Sequence, residues 1–382
     1  MNNRVIQIDS LRGCMLLIMT LDHLLWVPFS FLSNWTNVTF GFAGYNTAAE
    51  GFVLLSGITC GLIFTRRLSN STYSYANIRH WAWKRSGFIY LIQTLVFVIV
   101  LALILSFPET YNQWGNLIFV AARVNEPVTT FILGQLFLGL HGFSDVLPVY
   151  MLLLLTTPLV IRSLDNKRYV ILISLLLWMF SQLNPQEFIL GVFKEKWPNE
   201  PWYFGAFDIM AWQLLFVAGI SLGYSSVRGT LSICKSPWLI FGAIIFSGFM
   251  LVHRHSPELQ SLFPISDALL NRKTLAPLIL LNLASMSYLI YVLNSVRPQL
   301  FKITSLAYIG RHSLHVFCFQ LLIIYLLMPF SQLMSSFSLY LQVLFLGLSL
   351  LSLWIPAYLH QKWQNWATNR VKNPVTFSKP PS

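Results

Sequence analysis

The chain is dominated by apolar stretches, each about as long as the roughly 20 residues a helix needs to cross a hydrocarbon core. Inside lipid every backbone N–H and C=O must be satisfied within the segment, so such stretches fold as helices. They fall at roughly 11–31, 46–65, 87–107, 145–163, 169–184, 207–224, 237–253, 275–294, 307–328 and 338–359. The expectation is an all-α integral membrane protein, a bundle of about ten transmembrane helices. A shorter apolar stretch, 128–142, contains Gly134, Gly139 and Gly142 and suits an interfacial or re-entrant helix.

Composition excludes a soluble class. Of 382 residues, 55% are hydrophobic and 10% charged, against about a quarter charged in soluble domains. The net charge of +12 would by itself suit nucleic acid. Its placement argues against that partner, because Lys and Arg concentrate in alternate short loops: Arg4 and Arg12, then Arg66, Arg67, Arg79, Lys84 and Arg85, then Arg162, Lys167 and Arg168. Arg228 and Lys235, Arg297 and Lys302, and a basic tail continue the series. That asymmetry places both termini in the cytoplasm of a multi-pass inner-membrane protein. Residues 1–365 form one transmembrane domain, and 366–382 a cytoplasmic tail expected to be disordered. The scattered Cys14, Cys60, Cys234 and Cys318 form no CxxC and no Cys/His cluster, so neither a disulfide framework nor a metal site is expected.

Ionisable groups inside spans are costly and are functional candidates by default. The first span carries Asp22 and His23, and opens with Asp9-Ser10-Leu11-Arg12-Gly13. Eleven helical steps of about 100° leave Arg12 and His23 about 20° apart in rotation and about 16 Å apart along the axis. Asp9 is spaced to pair with Arg12. A cation at the cytoplasmic mouth suits the phosphates of a coenzyme, and a deep imidazole on the same face suits general-base chemistry. The alternative is that Asp22 and His23 form a polar knot between helices.

Glu50, near the outer end of the second span, either orients His23, binds a sugar hydroxyl, or is solvated. Gly51, Gly57 and Gly61 permit close helix approach. Arg66 stands in the densest basic cluster, which serves as a topology anchor, a coenzyme contact, or both. In Gly310-Arg311-His312-Ser313-Leu314-His315, the four-residue spacing puts Arg311 and His315 on one helical face, a second candidate for coenzyme contact. Asp145 and Asp208 stand where an acceptor would enter, and are equally suited to cap helices. Trp114, Trp197, Trp202 and Tyr203 suit interface anchoring or sugar stacking.

Taken together these segments resemble a known group. Asp9-Ser10-Leu11-Arg12-Gly13 followed by His23, then Glu50-Gly51-Phe52-Val53-Leu54-Leu55-Ser56-Gly57, then Ser86-Gly87-Phe88-Ile89-Tyr90, resemble the opening of the type 3 membrane acyltransferase superfamily. Within it the chain is most similar to the OpgC family. Ala48-Ala49-Glu50, Asp145-Val146-Leu147-Pro148-Val149-Tyr150, Ala211-Trp212-Gln213-Leu214-Leu215-Phe216-Val217-Ala218-Gly219 and Gly310-Arg311-His312-Ser313-Leu314 carry that similarity, which extends to about residue 360. Where that family has Asn-Pro before Ala-Trp-Gln, this chain has Asp208-Ile209-Met210.

The resemblance implies an acyltransferase that moves an acyl group, succinyl foremost, from cytoplasmic acyl-CoA to hydroxyls of an osmoregulated periplasmic glucan. It makes His23 catalytic, with Arg12 and Glu50 as its supporting polar positions, and Asp22, beside His23 in the first span, is a further catalytic candidate. Arg12, Arg66, Arg311 and His315 are the expected coenzyme contacts, and Asp145, Asp208 and Trp212 the expected acceptor contacts. The donor is succinyl-CoA or acetyl-CoA, with no tightly bound cofactor and no metal. Two alternatives stay open: O-acetylation of lipopolysaccharide or another envelope polysaccharide, and transport of a glycan or organic anion. The absence of an internal repeat weighs against transport.

Overall fold

A computed structural model describes residues 5–32, 44–69, 73–107, 126–138, 142–197, 202 and 205–372. Its elements, in chain order, are α1 (Ile6–Trp26), α2 (Ala48–Leu68), α3 (Tyr75–Ser106), α4 (Pro127–Gln135), α5 (Val146–Ser163), α6 (Lys167–Ser181) and α7 (Pro185–Lys196). Then come α8 (Ile209–Val227), α9 (Pro237–His255), the short α10 (Pro257–Leu262) and α11 (Asp267–Leu270), and α12 (Pro277–Val296). The last are α13 (Thr304–Arg311), α14 (Ser313–Leu327), α15 (Ser331–Ser335), α16 (Leu339–Leu351) and α17 (Trp354–Lys372). Among the described residues there is no strand.

Among the described residues, eight helical segments are long and apolar enough to cross a membrane. The expected spans at 145–163 and 169–184 fall within one of them, Val146–Ser181, where a 3-10 turn at Leu164–Asn166 separates α5 from α6. Hydrogen bonds from Lys167 Nζ to Ser225 Oγ (2.6 Å) and from Ser174 Oγ to Gln213 Oε1 (2.8 Å) set α6 antiparallel to α8. α1 is not among the eight, because Asp9, Arg12 and Asp22 interrupt its apolar run. Among its described residues the stretch 128–142 holds the short α4, followed by a turn with Phe137 at φ 60°. α17 runs to Lys372, past the expected start of the tail at 366, and residues 373–382 lie outside the described residues.

Small residues decide the packing, as they do wherever lipid offers no hydrophobic drive between helices. α2 and α8 lie parallel and in backbone contact. A Cβ on Gly57 would strike the Phe216 carbonyl, one on Gly61 the Ile220 carbonyl, one on Gly219 the Leu54 carbonyl, and one on Gly223 the Ile58 carbonyl. The two helices therefore mesh through matching Gly-x-x-x-Gly stripes. α1 and α13 meet the same way, Gly13 against the Leu306 carbonyl and Gly310 against the Asp9 carbonyl.

Two polar layers terminate the bundle. At one end Asp9, Arg12, Arg311, Ser313 and Lys167 bond between helices. At the other, segment 271–275 fastens several helices: its carbonyls accept from Trp212 Nε1 (3.1 Å), Gln182 Nε2 (2.7 Å) and Trp178 Nε1 (2.9 Å). Leu275 turns this segment at φ 49°.

Candidate active site

His23 occupies the last turn of α1, beside α14. Thr20 Oγ1 is 2.5 Å from Gln320 Oε1 and 2.7 Å from the Leu16 carbonyl, and the fully buried Gln320 places its amide nitrogen 3.4 Å from His23 Nδ1. One hydroxyl proton cannot serve both the Leu16 carbonyl and a Gln320 oxygen. With the amide turned over, Thr20 donates to Leu16 and accepts from Gln320, and Gln320 Oε1 accepts Nδ1–H of His23. That orientation leaves Nε2 of His23 with a lone pair.

Phe143 closes the other side of the imidazole. Its ring centroid lies 4.2 Å from that of His23, and its backbone is held at φ 66°, a region that favours glycine. Asp22 is buried on the adjacent face of α1.

Glu50 is turned to a different partner. It is wholly buried, closes a capping box at the start of α2 by accepting from Thr47 N–H (2.9 Å) and Thr47 Oγ1 (2.7 Å), and pairs with Arg272 Nε at 3.1 Å. Arg272 Nη2 also donates to Thr47 Oγ1 (2.7 Å), and Arg272 is the cation within electrostatic reach of His23. Glu50 therefore meets an arginine 222 residues away, for which the sequence offers no local signal.

At the opposite end Arg12 donates to Ser313 Oγ at 2.8 Å, and its guanidinium stands 5.4 Å from the Phe52 ring centre. Arg85 joins it: both charges reach the buried Cys60 and the partly buried Tyr150. Among the described residues no carboxylate pairs with Arg12 or Arg85. Asp9 pairs with Arg311 (Nε–Oδ2, 3.5 Å) and not with Arg12. The expected shared face of Arg311 and His315 is also corrected, because the helix breaks at His312. Arg311 ends α13 and turns to Asp9, while His315 lies in the first turn of α14 and stacks on His360 with ring centroids 3.6 Å apart. Arg66 is exposed at the end of α2.

The three expected acceptor residues hold the fold. Asp208 caps α8, accepting from Met210 N–H (2.8 Å) and Ala211 N–H (3.3 Å), and burial pushes its carboxyl above the usual range. Asp145, also buried, accepts from Ala206 N–H at 2.6 Å. Trp212 lies in the core with its indole edge-on to Phe207. Trp197 and Trp202 pack edge-on against each other and around Phe193. Trp114 and Tyr203 lie outside the described residues.

A cavity of about 470 Å³ opens beside the Glu50–Arg272 pair, walled by Tyr45, Thr47, Arg254, Asp267, Asn271 and Arg272. Apart from Thr47, which falls in the expected span 46–65, these residues lie in expected loops.

No curated protein and no solved structure matches the chain. The family described as OpgC protein matches residues 4–365, nearly the whole length. A multi-helical chain with His23 and Arg12 disposed along one helix is therefore a member of the OpgC protein family.

Proposed function

We propose that this protein is an inner-membrane O-acyltransferase that takes an acyl group, succinyl foremost, from cytoplasmic acyl-CoA and esterifies a hydroxyl of a periplasmic glucan. The observation that carries the reading is that Arg12 and His23 both reach α14, Arg12 at Ser313 and His23 at Gln320. A donor anchored at Arg12 and laid along this seam brings its thioester to the imidazole.

Arg12 and Arg85 hold the anionic end of the coenzyme. Two cations without a carboxylate partner in a largely apolar bundle are costly unless an anion joins them. His23 Nε2 removes the proton of the incoming hydroxyl, and the oxygen attacks the thioester carbonyl. The tetrahedral intermediate expels coenzyme A as its thiolate, which leaves towards the cytoplasm and takes up a proton. The C–S bond is broken, an ester C–O bond is formed, and His23 returns its proton to solvent. Phe143 and Gln320 fix the ring plane and tautomer for this step.

The test is transfer from succinyl-CoA and from acetyl-CoA to a glucan by purified protein in lipid vesicles. His23→Ala is expected to lower turnover by at least about a hundredfold while coenzyme A binding persists. Full turnover in that variant removes His23 from the mechanism. Acyl-CoA left intact by the wild type in the presence of glucan overturns the enzyme reading as a whole.

A further inference from the structure

The cavity beside Arg272 is lined by none of the donor residues. We propose that it is the binding site for the carbohydrate acceptor, and that Arg272 is the positioning residue that leads a bound hydroxyl to His23. This rests on the acyl-transfer reading and supplies its acceptor side.

Size and lining both fit a short stretch of sugar chain. About 470 Å³ falls within the roughly 300–1,000 Å³ of small-ligand sites. Sugar hydroxyls donate and accept at once, and the wall supplies both functions in planar groups able to make paired bonds: the Asn271 amide, the Asp267 carboxylate and the Arg254 guanidinium. A phosphate fits less well, because Asp267 stands on the wall and Glu50 already balances Arg272.

The wall is also prepared in advance. His253, buried within α9, has Nε2 at 2.9 Å from the Phe263 carbonyl, which only accepts, so Nε2 carries the ring proton. Its Nδ1 then accepts the Tyr45 hydroxyl proton at 2.7 Å, leaving the Tyr45 oxygen as an acceptor. Asn46 donates to the Ile279 carbonyl (3.1 Å) and accepts from Asn282 (2.6 Å). Thr47 accepts from Arg272. Three consecutive residues are thus fastened to α9, to α12 and to segment 271–275, the rigidity a selective site needs.

Arg272 connects this site to the chemistry. It lines the cavity, bonds Glu50 and Thr47 with two of its nitrogens, and acts electrostatically on His23.

The experiment measures binding of a short unsubstituted β-glucan oligosaccharide to the full-length protein in detergent by calorimetry, with coenzyme A binding as the control for folding. Arg254→Gln and Asn271→Ala are each expected to weaken the oligosaccharide about tenfold, with coenzyme A binding retained. Tyr45→Phe, which keeps the ring, gives the same test with the least disturbance of packing. Arg272→Lys keeps the charge and loses the two-point hold, so it lowers kcat more than it raises the acceptor KM. Wild-type oligosaccharide affinity in all three cavity variants overturns the proposal. So does inorganic phosphate binding that is lost in Arg254→Gln where the oligosaccharide does not bind at all. If the wild type leaves acyl-CoA intact in the presence of glucan while the cavity variants lose the oligosaccharide, the acyl-transfer reading fails and the cavity stands. If His23→Ala abolishes transfer while the cavity variants bind normally, only the cavity assignment fails.

Discussion

Arg12 and His23 lean on one neighbouring helix: Arg12 donates to Ser313 Oγ at 2.8 Å, and His23 Nδ1 lies 3.4 Å from Gln320, two turns (about 10 Å) further along α14. The seam between α1 and α14 therefore has a cation at one level and an imidazole at the next. Such an arrangement aligns a long thioester donor with a base, provided the donor's anionic end stays at the arginine.

Arg12→Ala and Arg85→Ala should each raise the acyl-CoA KM by about tenfold, since a charge-assisted hydrogen bond is worth roughly 1.5–3 kcal/mol. Because both charges converge on the Cys60–Tyr150 region, the double variant should lose donor binding by less than the product of the two single effects. Steady-state kinetics on purified protein decide this. An unchanged donor KM in both single variants would place the coenzyme elsewhere.

Gln320→Leu removes the partner that sets the His23 tautomer and keeps side-chain volume. It should lower kcat by about ten- to a hundredfold with the donor KM unaltered, and Gln320→Glu should restore part of the loss by accepting Nδ1–H again. A rise in KM without a fall in kcat would make Gln320 a packing residue only.

Glu50→Ala leaves Arg272 and Thr47 without their acceptor, and removing one partner of a buried pair costs about 3–5 kcal/mol. Arg272 is partly exposed, so the lower figure is expected. The Glu50→Gln, Arg272→Gln double variant should be more stable than the sum of its two single changes predicts. Thermal unfolding in detergent measures the coupling, and strict additivity would show that the pair does not interact.

Gly57→Val and Gly219→Val place side-chain carbons against the facing backbone of α8 and α2. Each should destabilise by about 1–3 kcal/mol and lower the yield of folded protein. Gly87→Ala and Gly242→Ala, whose new Cβ meets open space, should leave both unchanged. Equal losses in the two sets would show that α2 and α8 are not packed through their glycines.

The helical periods were legible because they are local. Ten apolar stretches, the phase of Arg12 and His23, and the small residues at Gly57 and Gly61 all follow from a repeat of about 3.6 residues that any single segment carries by itself. The matching pair Gly219 and Gly223 shows the same spacing and was visible in principle, but its role needed the knowledge that α8 lies beside α2.

What tertiary structure alone decided are the partners. Arg311 and His315 keep the spacing of one helical face, yet the chain breaks at His312, where Gly310 meets the Asp9 backbone and His312 Nδ1 lies 2.7 Å from His360 Nδ1. Glu50 meets Arg272 across 222 residues, and Thr20 meets Gln320 across 300. A polar side chain buried in a bundle bonds to whatever group packing brings within about 3 Å. Spacing along the chain governs its direction around its own helix, and only the arrangement of the other helices supplies the group it reaches.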